Sequence, residues 1–238
     1  MKIGVAVPAY NVLPYIENCL TTLGAQLHPV KTYICDDASD DGTFEFLLNR
    51  PSWYHQLARN KVRYGWPASL NRAVRMAFND GCDAVFLMNA DDFLRLDCIS
   101  RCVQLLQTGK DWVVTYAQQV GGENVVQASR TDVVLEDFLV YPPLVNYALI
   151  PRDVWATVRG YPLDVSLPGS FGYKEDWAFW IEVFKHGFTN YGVVTQPTYY
   201  YVMHPGQLHQ DSINAGLDLT DKARELILSK HPIKGSNR

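Results

Sequence analysis

The sequence predicts an α/β fold, a mostly parallel central sheet flanked by helices in a single domain. Three observations predict it. Short apolar runs alternate with segments whose apolar residues recur at helical spacing, the rhythm of a parallel sheet with right-handed crossovers. The stretch Val85 to Leu94, VFLMNADDFL, begins as a continuous apolar run, as a strand buried on both faces does, and contains adjacent carboxylates at Asp91 and Asp92. Three predicted strands end in polar, turn-forming residues: Tyr10-Asn11, Asp36-Asp37 and Asn89-Ala90-Asp91. In a parallel sheet such ends share one edge, the edge at which open α/β sheets bind ligands.

The elements follow in order. Ile3 to Val7 is strand-like and is broken by Pro8-Ala9-Tyr10-Asn11. Leu13, Ile16, Leu20, Leu23 and Leu27 have helical spacing. Lys31 to Cys35 is a second strand, closed by Asp36-Asp37-Ala38-Ser39-Asp40-Asp41-Gly42, and Thr43 to Leu48 starts a second helix. Val62 marks a short third strand. Pro67 opens a helix through Phe78, in a first turn where its missing N–H costs little. A helix from about Arg95 to Leu106 follows the central strand. Then come a strand from Trp112 to Gln118, a hairpin turn at Gly121-Gly122-Glu123-Asn124, and an extended apolar segment from Leu144 to Ile150. Pro151 to Val158 is a short helix, and Pro168 to Tyr173 an aromatic loop. Glu175 to Phe184 is an aromatic-rich helix ended by Gly187. Tyr199 to Met203 is strand-like, and the tail from Leu217 to Leu228 is amphipathic. No repeat or linker divides the chain, so one domain with two faces is expected.

The 238 residues, 47% of them hydrophobic, suffice for one large core. A net charge of -4 argues against a general nucleic-acid binder and leaves only a local patch open. No apolar segment approaches the ~20 residues that span a bilayer. The short apolar run after Met1-Lys2 is interrupted by Pro8, which reads as a first strand rather than a signal peptide. Five cysteines, an odd number without a CxxC, point to a reduced, cytoplasmic setting. Cys98 and Cys102, four apart on a helix, suit packing better than zinc.

Two adjacent carboxylates repel, and burying them unpaired is costly, so Asp91 and Asp92 call for a cation. Asp92 also reads as the N-cap of the helix that follows.

At this point the residues resemble a known family, the family-2 nucleotide-sugar glycosyltransferases of the Rossmann-like GT-A fold. The resemblance rests on Val5 to Asn11, Asp36 to Gly42, Gly65 with Ala68, Asn71 and Ala73, Asn89 to Asp92, and Glu175-Asp176, in the family's order. It implies an inverting enzyme that takes a sugar from a nucleotide-sugar donor to a hydroxyl-bearing acceptor. It implies that about residues 1–110 bind the nucleotide-sugar and about 111–238 the acceptor.

Residue by residue, Pro8, Ala9, Tyr10 and Asn11 match the segment that wraps the nucleobase, with Tyr10 packing on the ring. Asp37 matches the acid that accepts the base N–H, which suits uracil or thymine and hence a UDP- or dTDP-sugar. Arg63 lies where the family often has an Asn before its Gly and reads as a phosphate partner. Asn89-Ala90-Asp91 stands where the family has Asp-x-Asp. Asp91 matches the ligand of a divalent metal, Mn2+ or Mg2+, while Asn89 departs from the pattern and offers an amide to a ribose hydroxyl. His204, with His209 as rival, resembles a further metal or phosphate ligand. Asp176 matches the general base. Glu175, Trp177 and Tyr173 are assigned to the acceptor, with Trp180 and Phe171 as other stacking surfaces. Asn89 also motivates a second reading, a nucleotide-sugar-binding protein without activity. A hydroxylated nucleobase stays open as acceptor. A nucleotidyltransferase ranks last, because the chain lacks a Gly-rich, Lys-containing phosphate loop.

Overall fold

The computed structural model describes residues 1–165, 175–205 and 220–233. One sheet runs through both halves of the chain, in the order β3-β2-β1-β4-β8-β6-β9-β5, with β7 beside β6. Its strands are β1 (Ile3–Ala9), β2 (Val30–Asp36), β3 (Gln56–Arg59), β4 (Ala84–Leu87), β5 (Phe93–Leu94), β6 (Val113–Val120), β7 (Val126–Gln127), β8 (Ala148–Pro151) and β9 (Gly192–Val202). The helices are α1 (Ile16–Gly24), α2 (Thr43–Leu48), α3 (Trp66–Asn79), α4 (Cys98–Leu106), α5 (Arg152–Val158), α6 (Glu175–Lys185) and, last, α7 (Thr220–Lys230).

The first half is parallel throughout: β2 and β4 flank β1, and β3 adds to β2. The second half makes the sheet mixed. β8 pairs antiparallel with both β4 and β6, and β6 runs parallel to β9. Both faces are covered, which explains the continuous apolar runs of the central strands. On β1, Ile3, Val5, Val7 and Ala9 face the cluster built with α1, α2 and α4, while Ala6 faces the one built with α3, α5, α6 and α7. Gly4 shares the α3 side. A Cβ there would lie 2.9 Å from the Ala77 Cβ, so glycine is what lets α3 approach β1 this closely.

Several boundaries differ from expectation. The third strand is β3, before Val62, because Gln56–Arg59 finds its partners on β2. The stretch from Val85 to Leu94 is not one strand. It turns after Leu87, and Phe93–Leu94 pairs instead with β9 at Tyr200 and Tyr199. Helix α4 starts at Cys98 rather than Arg95, and Asp97 stands at its N-cap, so Asp92 is not the cap. The carboxylate of Asp97 is held by Arg95 and Arg101, at 2.6 and 2.5 Å. Strand β9 begins at Gly192, well before Tyr199, because the TQPT stretch alternates too weakly to announce a strand. The aromatic loop Pro168 to Tyr173 lies outside the described residues.

Trp112 stacks on Trp180 and Tyr191, with ring centroids 4.4 and 4.7 Å apart. All five cysteines are free and buried. Among the described residues no helix is long and apolar enough to cross a membrane.

α7 docks through Ala223 and Ile227, and His231 just beyond it reaches Glu182 of α6 at 2.9 Å. Burial alone would raise the Glu182 carboxyl, but hydrogen bonds from Lys185 and His231 outweigh it and hold the group below its usual range. A lowered carboxyl stabilises the fold above the unfolded value, and that contribution is lost as pH falls through the folded value. Glu182→Gln is therefore expected to lower the melting temperature near neutral pH. The gap from wild type should shrink below about pH 4, as thermal melts across pH would reveal. A gap that widens on acidification would contradict the pairing.

Candidate active site

The carboxyl ends of β1, β2 and β4 lie side by side, and the loops after them are tied together. Asp37 N–H donates to the Ala9 carbonyl at 2.8 Å. The Asn11 amide and Asp40 exchange hydrogen bonds, side chain to side chain at 2.8 Å and backbone to side chain at 3.0 Å. Asn11 takes a left-handed φ of 51°, a conformation asparagine tolerates better than most residues. Its amide is thus a latch between loops. Asp41 accepts from Leu13, Thr43 and the Thr43 hydroxyl, at the start of α2. Asp40 and Asp41 thus serve the turn between β2 and α2.

Asp37 is buried, 2% exposed. One oxygen accepts from Asn60 Nδ2 at 2.6 Å and Tyr64 N–H at 2.9 Å, the other from Gly65 N–H at 2.7 Å. A carboxylate has about four acceptor positions, so one is left. Asp36, fully buried, pairs with Arg59 at 3.3 Å. Tyr10 is half-buried, and the Arg63 guanidinium lies over its ring at 3.9 Å. Arg63 therefore stands on the aromatic face, a cation–π contact that the sequence did not announce. Asn60, three residues before Arg63, braces Asp37 and Ser69.

The loop after β4 carries the acids. Asp92 is 1% exposed and accepts three hydrogen bonds: Tyr199 hydroxyl at 2.6 Å, Val202 N–H at 2.8 Å and Asn89 amide at 3.0 Å. Burial, and next the Asp91 charge, push its carboxyl well above the usual range, while these donors pull the other way. Asp91 keeps 19% of its side chain exposed and lies 3.0 Å from His204 Nε2. The His204 ring stacks on Tyr15, centroids 4.3 Å apart. The structure thus brings Asp91 and His204 together from positions far apart in sequence. Ala90 turns its methyl into the core.

Asp176 sits in the first turn of α6, where its Oδ1 accepts the Trp177 N–H at 2.9 Å. The Tyr147 hydroxyl is pushed up by burial first, then by the negative charges of Asp92, Tyr201, Asp91 and Asp176. Tyr147 stacks on Tyr199, with ring centroids 3.7 Å apart.

Two acceptor assignments meet a different environment. Trp177 is fully buried, and its indole N–H donates to the Phe138 carbonyl at 2.9 Å. It is a core residue, as is Trp180, because both face the apolar cluster under the sheet. Glu175 is 2% exposed. Tyr173, Phe171 and His209 lie outside the described residues. Sequence reading missed Tyr15, Asn60, Trp66, Tyr147 and the specific role of Tyr199. Only the Tyr199-Tyr200-Tyr201 run offered a signal, an aromatic cluster just before His204.

The arrangement has a carboxylate and an imidazole able to share a cation, an aromatic face on the same sheet edge as a buried acid, and a further carboxylate in the first turn of α6. A family model described as glycosyl transferase family 2 matches residues 4–165, more than half of the chain. The chain belongs to glycosyl transferase family 2. The matched span of this glycosyltransferase includes Tyr10, Asp37 and the acids of the β4 loop, and ends before Asp176 and His204. It is similar to the poly(ribitol-phosphate) beta-N-acetylglucosaminyltransferase TarS of Staphylococcus aureus strain Mu50, 23% identical over 206 residues, which are 84% of this chain and 35% of TarS. The chain thus spans about a third of the length of the curated relatives it matches. Among solved structures, it superposes on S. aureus TarS 1-349 in complex with UDP-GlcNAc with a TM-score of 0.72 at 19% identity, covering 89% of this chain and 61% of that one. It also superposes on glucosyl-3-phosphoglycerate synthase from Mycobacterium tuberculosis in complex with Mn2+, UDP and glucosyl-3-phosphoglycerate. That match has a TM-score of 0.62 at 19% identity and covers 98% and 82% of the two chains. The family-2 glycosyltransferase therefore has the GT-A fold expected from its sequence.

Proposed function

We propose that this chain transfers a sugar from a UDP- or dTDP-sugar to a hydroxyl-bearing acceptor, with inversion and with the help of Mn2+ or Mg2+. The observation that carries the reading is the Asp91–His204 pair at 3.0 Å, next to an Asp92 that accepts three hydrogen bonds from Tyr199, Val202 and Asn89. Among the described residues no group of three or more His, Cys, Asp or Glu gathers that could hold a metal ion. The pair fits a cation whose other positions are filled by phosphate oxygens and water, as is usual for Mg2+ at substrate phosphates. Asp91 and His204 would hold it, and when bound it would neutralise charge on the leaving nucleoside diphosphate.

The chain's own residues do the rest. Tyr10 offers its ring to the base, and Asp37 turns its remaining acceptor position to the base N–H. Arg63, which lies over one face of Tyr10, is the phosphate partner and leaves the other face of the ring to the base. Pro8, Ala9, Asn11 and Ala90 shape this surface through their backbone and loop contacts. Asp176 takes the proton of the acceptor hydroxyl as that oxygen bonds to the anomeric carbon and the bond to the diphosphate oxygen breaks. Glu175, beside it, supports the acceptor side. On this reading about residues 1–110 bind the donor and about 111–238 the acceptor, within one domain. The relatives' complexes with UDP-GlcNAc, and with UDP and Mn2+, support a uridine donor and a divalent cation. The free, buried cysteines support a cytoplasmic setting.

Release of nucleoside diphosphate from a panel of nucleotide-sugars, with manganese, tests the proposal. UDP- or dTDP-sugars are expected to be turned over, turnover should stop with a chelator, and added manganese should restore it. Donor binding by calorimetry without hydrolysis or transfer to any of a wide acceptor panel would identify a binding protein instead.

A further inference from the structure

The geometry points to Asn89 as a positioning residue, a two-ended clamp that holds the acid loop to helix α3 and thereby sets the Asp91–His204 pair. The inference rests on the metal-assisted reading above and deepens it. The Asn89 amide oxygen accepts the Trp66 indole N–H at 2.9 Å. Its amide nitrogen donates to Asp92 Oδ2 at 3.0 Å. That same oxygen takes the Tyr199 hydroxyl at 2.6 Å, and Tyr199 in turn accepts the Asn89 backbone N–H at 3.1 Å. Asp92 Oδ1 takes the Val202 N–H at 2.8 Å.

These bonds close a ring among Asn89, Asp92 and Tyr199, between the loop after β4 and β9, and Trp66 at the start of α3 is tied to that ring through Asn89. Asp91 lies between Asn89 and Asp92 in the sequence, and His204 two residues past Val202, so both members of the pair are flanked by residues these bonds hold. The ring also reaches the base end of the site, because Gly65, next to Trp66, donates to Asp37.

The amide offers an acceptor and a donor at once, which an ionised carboxylate does not. Aspartate at position 89 would keep the acceptor for Trp66. It would also set a second carboxylate against Asp92 Oδ2 with no proton donor between them. Alanine would lose both bonds. Counting charge alone, Asn89→Asp should strengthen a divalent cation site. The clamp predicts the reverse, because loosening Asp92 loosens the end of β9 that carries His204.

Calorimetric titration of UDP with and without Mn2+ measures the ratio of the two affinities, the manganese-dependent part of binding. Asn89→Ala and Asn89→Asp are each expected to lower that ratio roughly tenfold, the usual scale for outer partners of metal ligands, and Trp66→Phe to lower it less. An Asn89→Asp ratio equal to or above wild type overturns the role. A second readout does not depend on the metal. The Trp66 indole N–H resonance, assigned by its loss in Trp66→Phe, should move in Asn89→Ala and stay in Asn89→Asp. A resonance that Asn89→Ala leaves in place overturns the clamp even in a variant that binds poorly. Wild type without any manganese-dependent UDP binding overturns the metal reading and the positioning role together, and that failure precedes every substitution.

Discussion

Replacing Asp176 by Asn is expected to lower turnover by roughly 10²–10⁴-fold, the usual contribution of a positioned general base. The substitution is nearly isosteric. An Asn carbonyl can still accept the Trp177 N–H that Asp176 now accepts at 2.9 Å, so the first turn of α6 should persist. What it loses is the capacity to take a proton. Donor affinity with manganese should stay within a few-fold of wild type, and the melting temperature should hold. Turnover that falls by only a few-fold would remove Asp176 from the reaction.

Trp177→Ala should destabilise the fold by roughly 3–5 kcal/mol, the range for emptying a buried aromatic site. Trp177 is fully buried, and its N–H is the donor to the Phe138 carbonyl, which would lose that partner inside the core. A melting temperature lower by on the order of 10 °C is expected. Trp177→Phe should fall between the two, keeping most of the volume and losing the N–H. An acceptor platform would behave otherwise: the melting temperature would hold and the acceptor KM would rise. Thermal melts beside acceptor titrations separate the two roles.

Trp177 and Asp176 also mark what the sequence could and could not carry. Both sit in an aromatic-rich helix, and periodicity predicted that helix with little error. Nothing local distinguishes an aromatic residue turned to the core from one turned to a sugar, because helical spacing yields both. The same limit separated Asp91 from Asp92. The two are adjacent and chemically identical, yet one retains exposure and meets His204 while the other is consumed by Tyr199, Val202 and Asn89. The position of Arg63 over Tyr10 was not legible, because it depends on a loop that Asn60, Tyr64 and Gly65 tie to Asp37.

From the residues by themselves came the alternation of strands and helices, the shared edge at Tyr10, Asp37 and Asp91, and the family. Those properties are local or ordered along the chain: period, turn chemistry and motif order survive without coordinates. The mixed second half of the sheet, the split of the Val85 to Leu94 stretch between β4 and β5, and the closing of Asn89 between Trp66 and Asp92 were decided in three dimensions. Each depends on partners many residues away. Their pairing follows from which buried polar groups need a hydrogen bond once the helices have covered the sheet.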